Sequence, residues 1–349
     1  MFEYIGALHI HSVFSDGSGE VHEIVEAAQE CELDFIVLTD HNTLRALKEG
    51  FEKWYGKTLL LVGCELNDKQ NLNHLLALGI NETFSTRIPA AEYTKKVKES
   101  GGVGIIAHPF EKRSSFKEHP PYPWNEWSSE DFHGIEIWNH MSEWMEGLNE
   151  QNKINYFLHP LKSIVGPTKE TLEKWDELNL KRKVVGIGGV DAHAHKVNLL
   201  GFFELEVFPY KVLFKSIRTH VLLNDSLSQA QESNDVSLGK IKIYNAIKDG
   251  NCFVSNYYRG DAKGFRFYAK VNDEIYSMGS SIDLSDEIEL TVEVPKEEAI
   301  VKIIGNGKEV FSGKSSKVIF SPKEKGVYRA EVYINDNAWI FSNHIRIGL

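Results

Sequence analysis

Little in this sequence points to sulfur chemistry. Its cysteines are three, Cys31, Cys64 and Cys252, an odd number without CxxC spacing, which argues against a disulfide framework or a zinc-thiolate site. No run of about 18 apolar residues exists, so no membrane span or membrane partner is expected. An apolar content of 42% and a mean hydropathy of -0.30 are ordinary for a soluble globular chain. Phosphate-cradling loops are missing as well: there is no GK[ST] motif, and Gly186-Ile187-Gly188 lacks the third glycine of a dinucleotide fingerprint. Nor is there an excess of positive charge. A net charge of -11 gives no electrostatic footprint for a long duplex nucleic acid. The N-terminus shows no basic segment followed by an apolar stretch and a cleavage site, so a cytoplasmic location is the expectation. At 349 residues the chain should form one large domain plus a smaller one.

What is present is a succession of apolar runs with polar residues at their ends. The first run, Tyr4 to Ile10, carries His9 and His11 and stops at Ser15-Asp16-Gly17. Alternate side chains of a strand share a face, so the two imidazoles should project together. Buried imidazoles need partners; hydrogen bonds within the core would do, and a shared cation would satisfy both. A helix over 20–31, capped by Ser18, is predicted from Val21, Ile24, Val25 and Ala28 at helical spacing. Phe35-Ile36-Val37-Leu38 then ends in Thr39-Asp40-His41-Asn42, a helix is expected over 43–54, and Leu59 to Cys64 leads into Glu65.

His74 opens its apolar run instead of closing it. The link over 66–73 is too short for a parallel crossover, so the strands before and after it should pair antiparallel and return His74 to the rim of Glu65. Pro89 and Gly101-Gly102 bracket a helix over 90–100. A strand over 103–107 reaches His108-Pro109, a loop with Trp124 and Trp127 is expected over 111–131, and a strand over 134–140 carries His140. Helices are expected over 146–158 and 169–180, and a strand over 184–190 runs into Asp191-Ala192-His193-Ala194-His195. Two further helices are read over 209–221 and 239–250. Alternating strands and helices indicate a mainly parallel α/β barrel, whose site gathers at the strands' C-terminal ends. Period-two runs at 288–294 and 328–334, with a turn at Gly305-Asn306-Gly307, assign 262–349 to a small antiparallel β-sandwich beyond a barrel domain over 1–261.

Collected, the strand-end residues are His9, His11, Asp16, His41, Glu65, His74, His108, Asp191 and His193. All offer nitrogen or oxygen, the donors that suit Mn, Fe or Zn, and they exceed the needs of one tetrahedral site; two or three divalent ions are implied. His9-Ile10-His11-Ser12, Ser15-Asp16-Gly17, Leu38-Thr39-Asp40-His41-Asn42, Ala107-His108-Pro109 and Asp191-Ala192-His193 resemble the successive motifs of the PHP (polymerase and histidinol phosphatase) family of metallo-phosphoesterases. The resemblance implies a distorted (β/α)7 barrel with a trinuclear centre: His9, His11, Glu65 and Asp191 on one metal, Glu65, His74 and His108 on a second, Asp16, His41 and His193 on the third. Asp16 stands where some members carry a histidine. The short segment between His74 and His108 departs from the branch that acts on nucleoside bisphosphates and short RNA, which inserts a cap there. The region from 208 to 267 and the added β domain look more like the carbaryl-hydrolase-like metalloesterase branch.

His140 and His195, beside the ligands, are candidate proton donors, and Arg45, one turn after His41, is a candidate for an anionic substrate; hydrogen-bonded or salt-bridged roles are the plainer alternatives. The expectation is hydrolysis of a small phosphate monoester or diester, a nucleotide or a short oligonucleotide. Alternatives are a carboxyl- or carbamate-ester hydrolase and a silent metal-binding scaffold.

Overall fold

Seven strands position the polar termini: β1 (Phe2–Ile10), β2 (Phe35–Leu38), β3 (Thr58–Leu66), β4 (Leu75–Leu78), β5 (Val103–Ile106), β6 (Gly134–Asn139) and β7 (Val185–Gly189). The computed structural model describes all residues except 114, 116–118, 200–202, 207 and 286, so part of the loop expected over 111–131 lies outside the described residues. The seven strands adjoin in chain order, and all neighbours are parallel except β3 with β4 and β4 with β5. Leu66 pairs with Leu75, the antiparallel return that the short link requires. The ladder stops short of a closed ring. Its ends nevertheless meet: Val190 N–H donates to Leu8 O (2.9 Å), Ala192 N–H to His9 O (3.2 Å) and His11 N–H to Ala192 O (2.9 Å). Buried on both faces, β2 and residues 59–64 of β3 read as unbroken apolar runs.

Several helices differ from expectation for local reasons. Helix Val21–Glu30 is capped by a reciprocal pair, Glu20 and Glu23, and not by Ser18. The helix expected over 43–54 is only Arg45–Lys48, because Gly50 turns left-handed (φ 79°) and Lys53–Tyr55 pairs antiparallel with β3. Pro89 is the cap of helix Ala90–Glu99 and not its first residue. Over 146–158 there are two helices, His140–Gly147 and Lys153–Leu158, parted where Asn149 and Asn152 each accept from the other's backbone N–H. Helices Lys169–Lys181 and Val236–Asp249 lie where periodicity places them.

The largest correction is at 209–221. A four-residue helix, Tyr210–Leu213, gives way to a strand, Ile217–Leu223, that pairs antiparallel with β1 and with Cys252–Asn256. Its polar residues are buried and bonded: Arg218 donates to Phe214 O and Cys31 O, and His220 meets Glu3 at 2.9 Å.

Beyond it, Glu274–Ser277, Arg266–Val271, Ile288–Glu293 and Lys317–Phe320 form an antiparallel four-stranded sheet. The remaining C-terminal strands extend the large sheet, since Asn337–Ser342 pairs with Cys252–Asn256. The protein is thus mixed α/β, with one large sheet and a second antiparallel sheet. Phe253 and Leu222 share a core with Phe265, Phe267, Trp339 and Ile340. Among the described residues, no helix is long and apolar enough to cross a membrane.

Candidate metal centre

At the exits of β1, β5 and β7 the chain leaves ordinary strand geometry. His9 (φ 65°), His108 (φ 27°) and Asp191 (φ 52°) all lie in the left-handed region, and the β1–β2 register slips between Leu8 and Ile10. Such a conformation costs a side chain on the order of 1–3 kcal/mol and persists where surrounding contacts fix it, often at functional sites. The kink at His9 aims its ring at that of His11, with centroids 5.1 Å apart.

Glu65, at the end of β3, is the hub. Its Oε1 lies 2.7 Å from His74 Nδ1 and 3.3 Å from His108 Nε2, and its Oε2 lies 3.1, 3.2 and 3.4 Å from ring nitrogens of His9, His11 and His41. Asp191 stands 3.4 and 3.5 Å from His9 and His11. Asp16 reaches His193 at 3.3 Å and His11 and His41 at 3.6 Å. All nine strand-end residues are therefore brought to one rim. Donor atoms close enough to share a cation come from His11, Asp16, His41 and His193; from His9, Glu65 and His108; from His9, His11 and Asp191; and from His41, Glu65 and His74.

The electrostatics fit a cation. Burial disfavours charge on every group here, yet the carboxylates outweigh it: Asp191, Glu136 and Glu65 hold the His9 imidazole well above its ordinary range. Burial likewise works against protonated His11 and His108, but Asp191 and Glu65 raise the first to about 10, and Glu111 with Glu65 raises the second to about 9. Burial would raise Glu65 and Asp191, but the facing imidazoles hold both well below the carboxylate range. His41, desolvated more than it is compensated, falls to about 4. Both His11 ring nitrogens and His108 Nδ1 are buried without a well-formed hydrogen bond. Divalent ions would supply the positive charge that protons otherwise provide, with proton release on binding.

Supporting contacts fix this arrangement. Glu136, in the middle of apolar β6, meets His9 Nδ1 at 2.8 Å and accepts from His108 N–H (2.9 Å) and Asn139 Nδ2 (2.8 Å). A Cβ at Gly189 would collide with its Oε1. Asp40 accepts from Ser12 N–H, Ser12 Oγ–H and Ser15 Oγ–H, holding the turn that presents Asp16. Sequence reasoning missed Glu136 as an orienting residue; its signal was a single carboxylate between Ile135 and Ile137.

The other sequence candidates are placed differently. Arg45 pairs with Glu49 (2.6 Å), lies over the Phe14 ring and does not line the cleft. His140 is buried, has no hydrogen bond at either ring nitrogen, is pushed by burial to about 3 and also does not line it. His195 does line it, with its ring 4.9 Å from that of His193. The cleft, of about 700 Å³, also takes in Arg113 and Lys153 on its polar side and Trp144, Phe157 and Phe208 on its apolar side. Arg113 lies over Tyr122, whose ring stacks on His74 at 5.2 Å. Neither Arg113 nor Tyr122 stood out in the sequence, since both lie in the irregular stretch after His108.

Residues 7–99 match the family model of the PHP domain. An uncharacterized protein of Methanocaldococcus jannaschii, MJ1587, is 28% identical over 116 residues, 30% of this chain and 66% of that protein, slightly under two thirds of its length. Among solved structures, a two-domain protein of Bacteroides vulgatus containing a predicted PHP-like metal-dependent phosphoesterase is similar with TM-score 0.45 and 15% identity, over 98% of this chain and 95% of that one. PsfC from Pseudomonas syringae is similar with TM-score 0.41 and 14% identity, over 65% of this chain and 84% of that one. The matched region holds His9, His11, Asp16, His41, Glu65 and His74, so over residues 7–99 the chain is similar to the PHP domain.

Proposed function

We propose that the protein is a metal-dependent phosphoesterase acting on a small phosphate monoester or diester, with nucleotides and short oligonucleotides among the substrates to test. The observation that carries this reading is the convergence of nine residues with nitrogen or oxygen donors, Glu65 among them, beside a cleft that also holds cationic side chains. In the proposed assignment, His9, His11, Glu65 and Asp191 hold one ion, Glu65, His74 and His108 a second, and Asp16, His41 and His193 a third, with Mn, Fe or Zn as the metals. Divalent ions bound there would supply Lewis acidity and lower the pKa of water.

The chain's own residues do the rest. Arg113, which also pairs with Glu111, and Lys153, which also pairs with Glu150 (2.6 Å), line the cleft and offer N–H donors to the anionic phosphoryl group, which the -11 net charge would otherwise repel. His195, exposed at the rim, gives a proton to the departing oxygen. Glu136, through His9 Nδ1 and the His108 backbone, keeps two donors aimed. Phosphate release from a panel of esters by metal-reconstituted protein tests this: turnover that chelation removes is expected. The apolar wall formed by Trp144, Phe157 and Phe208 favours a second reading, hydrolysis of a carboxyl or carbamate ester at the same centre. Turnover confined to aryl carboxyl esters would select it. No metal-dependent turnover of either class would leave a binding scaffold.

A further inference from the structure

We infer that the organic part of the substrate is a long apolar chain, so that the phosphate ester is an amphiphile; this rests on the phosphoesterase reading of the same cleft. Opposite in character to the histidine and carboxylate rim, and beside the polar Arg113, His119, Tyr122 and Lys153, the cleft is lined by Met141, Trp144, Met145, Leu148, Phe157 and Phe208. The apolar surface does not end there. A neighbouring groove of about 510 Å³ shares Phe157 and Phe208 and continues along Leu158, Leu161, Pro209 and Val212, with His159, Lys162 and Glu206 also lining it.

The two phenyl rings stack, with centroids 5.9 Å apart and planes at 9°. Trp144 braces both edge-on, at 5.1 and 4.6 Å. Helix Lys153–Leu158, which supplies Phe157, has no buried residue, and Ile154, Phe157 and Leu158 are 72, 45 and 69% exposed. Contiguous exposed apolar surface of this kind marks a binding site. A hydrophilic ester would occupy only the polar end and leave that surface uncovered. An alkyl chain anchored by its phosphate near Arg113 and Lys153 would cross Phe157 and lie in the second groove, covering both. The occupant is therefore the phosphate monoester of a long-chain alcohol.

The test is calorimetric binding of ethyl, butyl and octyl phosphate, below micellar concentrations, to the full-length protein with and without added Mn²⁺. A fully buried methylene is worth about three- to four-fold in affinity; on a partly open groove the step from ethyl to octyl should reach at least about ten-fold. 1-Octanol, lacking the phosphate, should bind at least about ten-fold more weakly than octyl phosphate. Phe157→Ala and Leu158→Asn, both at exposed positions, should cut the chain-length gain to below about three-fold. Equal affinities across the series, a gain that both variants keep, or octanol binding as tightly as octyl phosphate would each overturn the inference. Phosphate release measured alongside separates the two claims. A chain-length gain without any release would contradict the phosphoesterase reading alone, and release from all esters without a gain would contradict the inference alone.

Discussion

Two regions of this protein bury charge, and they do so in opposite ways. Where the C-terminal strands dock on helix Lys169–Lys181, Asp176 receives Arg329 at 2.7 and 3.0 Å and His344 at 2.7 Å, while Arg329 also meets Glu331. Its carboxylates are held by direct hydrogen bonds to Arg329 and His344, and the residues of this cluster have ordinary backbone. At the rim of the seven strands, imidazoles crowd the hub carboxylate Glu65, ring nitrogens of His11 lack hydrogen bonds, and three of the nine residues sit in left-handed backbone. Buried charge that closes on itself is architecture. Buried charge that sets nitrogen and oxygen donors facing one another is a candidate cation site, and among the described residues no donor group of this kind lies in the C-terminal region.

This contrast can be broken by substitution, and the largest effect should fall on activity. Asp191→Ala removes a rim carboxylate with little apolar burial, so turnover of a phosphate ester should fall by about 10²–10³-fold or more while the protein stays folded. Steady-state phosphate release and circular dichroism check it. Asp176→Ala should do the reverse. Leaving His344 without its partner and Arg329 with Glu331 alone should cost up to about 3–5 kcal/mol in urea unfolding, with metal bound per folded chain unchanged.

A third, smaller effect is on the pH dependence of stability. Burial pushes the Glu143 carboxyl up to about 7, against partial compensation from Val165 and Gly166 N–H and the Trp138 indole. Between the unfolded value near 4.5 and about 7, the native state holds a proton that the unfolded state has released. Stability should therefore fall as pH rises through that window, by up to about 3 kcal/mol from this group. Glu143→Gln should flatten the profile there, as read by thermal melting at constant ionic strength. The smallest effect is expected at Arg45, whose exposed pair with Glu49 is worth about 0–1 kcal/mol. Arg45→Ala should leave turnover within about two-fold.

Much of the rim was legible because its chemistry is punctuated: apolar runs ending in histidine or aspartate advertise strand exits, and the short link over 66–73 dictated the return of His74. The strand Ile217–Leu223 was hidden because its burial on both faces is set by β1, Cys252–Asn256 and the bonds of Arg218 and His220, none of which is local in sequence. Helical spacing alone puts Arg45 near the site, but Glu49 and Phe14 hold it elsewhere. Glu136 was unreadable as an orienting group until β6 was set beside β7 and His9. The pairing of Asn337–Ser342 with Cys252–Asn256, which joins the C-terminal region to the large sheet, likewise depends on contacts between distant segments.

The central claim is that Glu65 gathers these residues into a metal centre. Metal content per chain, measured by atomic emission after reconstitution with Mn²⁺, Fe²⁺ or Zn²⁺ and removal of free ions, tests it directly in wild type and Glu65→Ala. The account predicts two or three ions in the wild type and at least one fewer in the variant, with the variant folded by circular dichroism; equal metal content in both proteins, or none in the wild type, would contradict it.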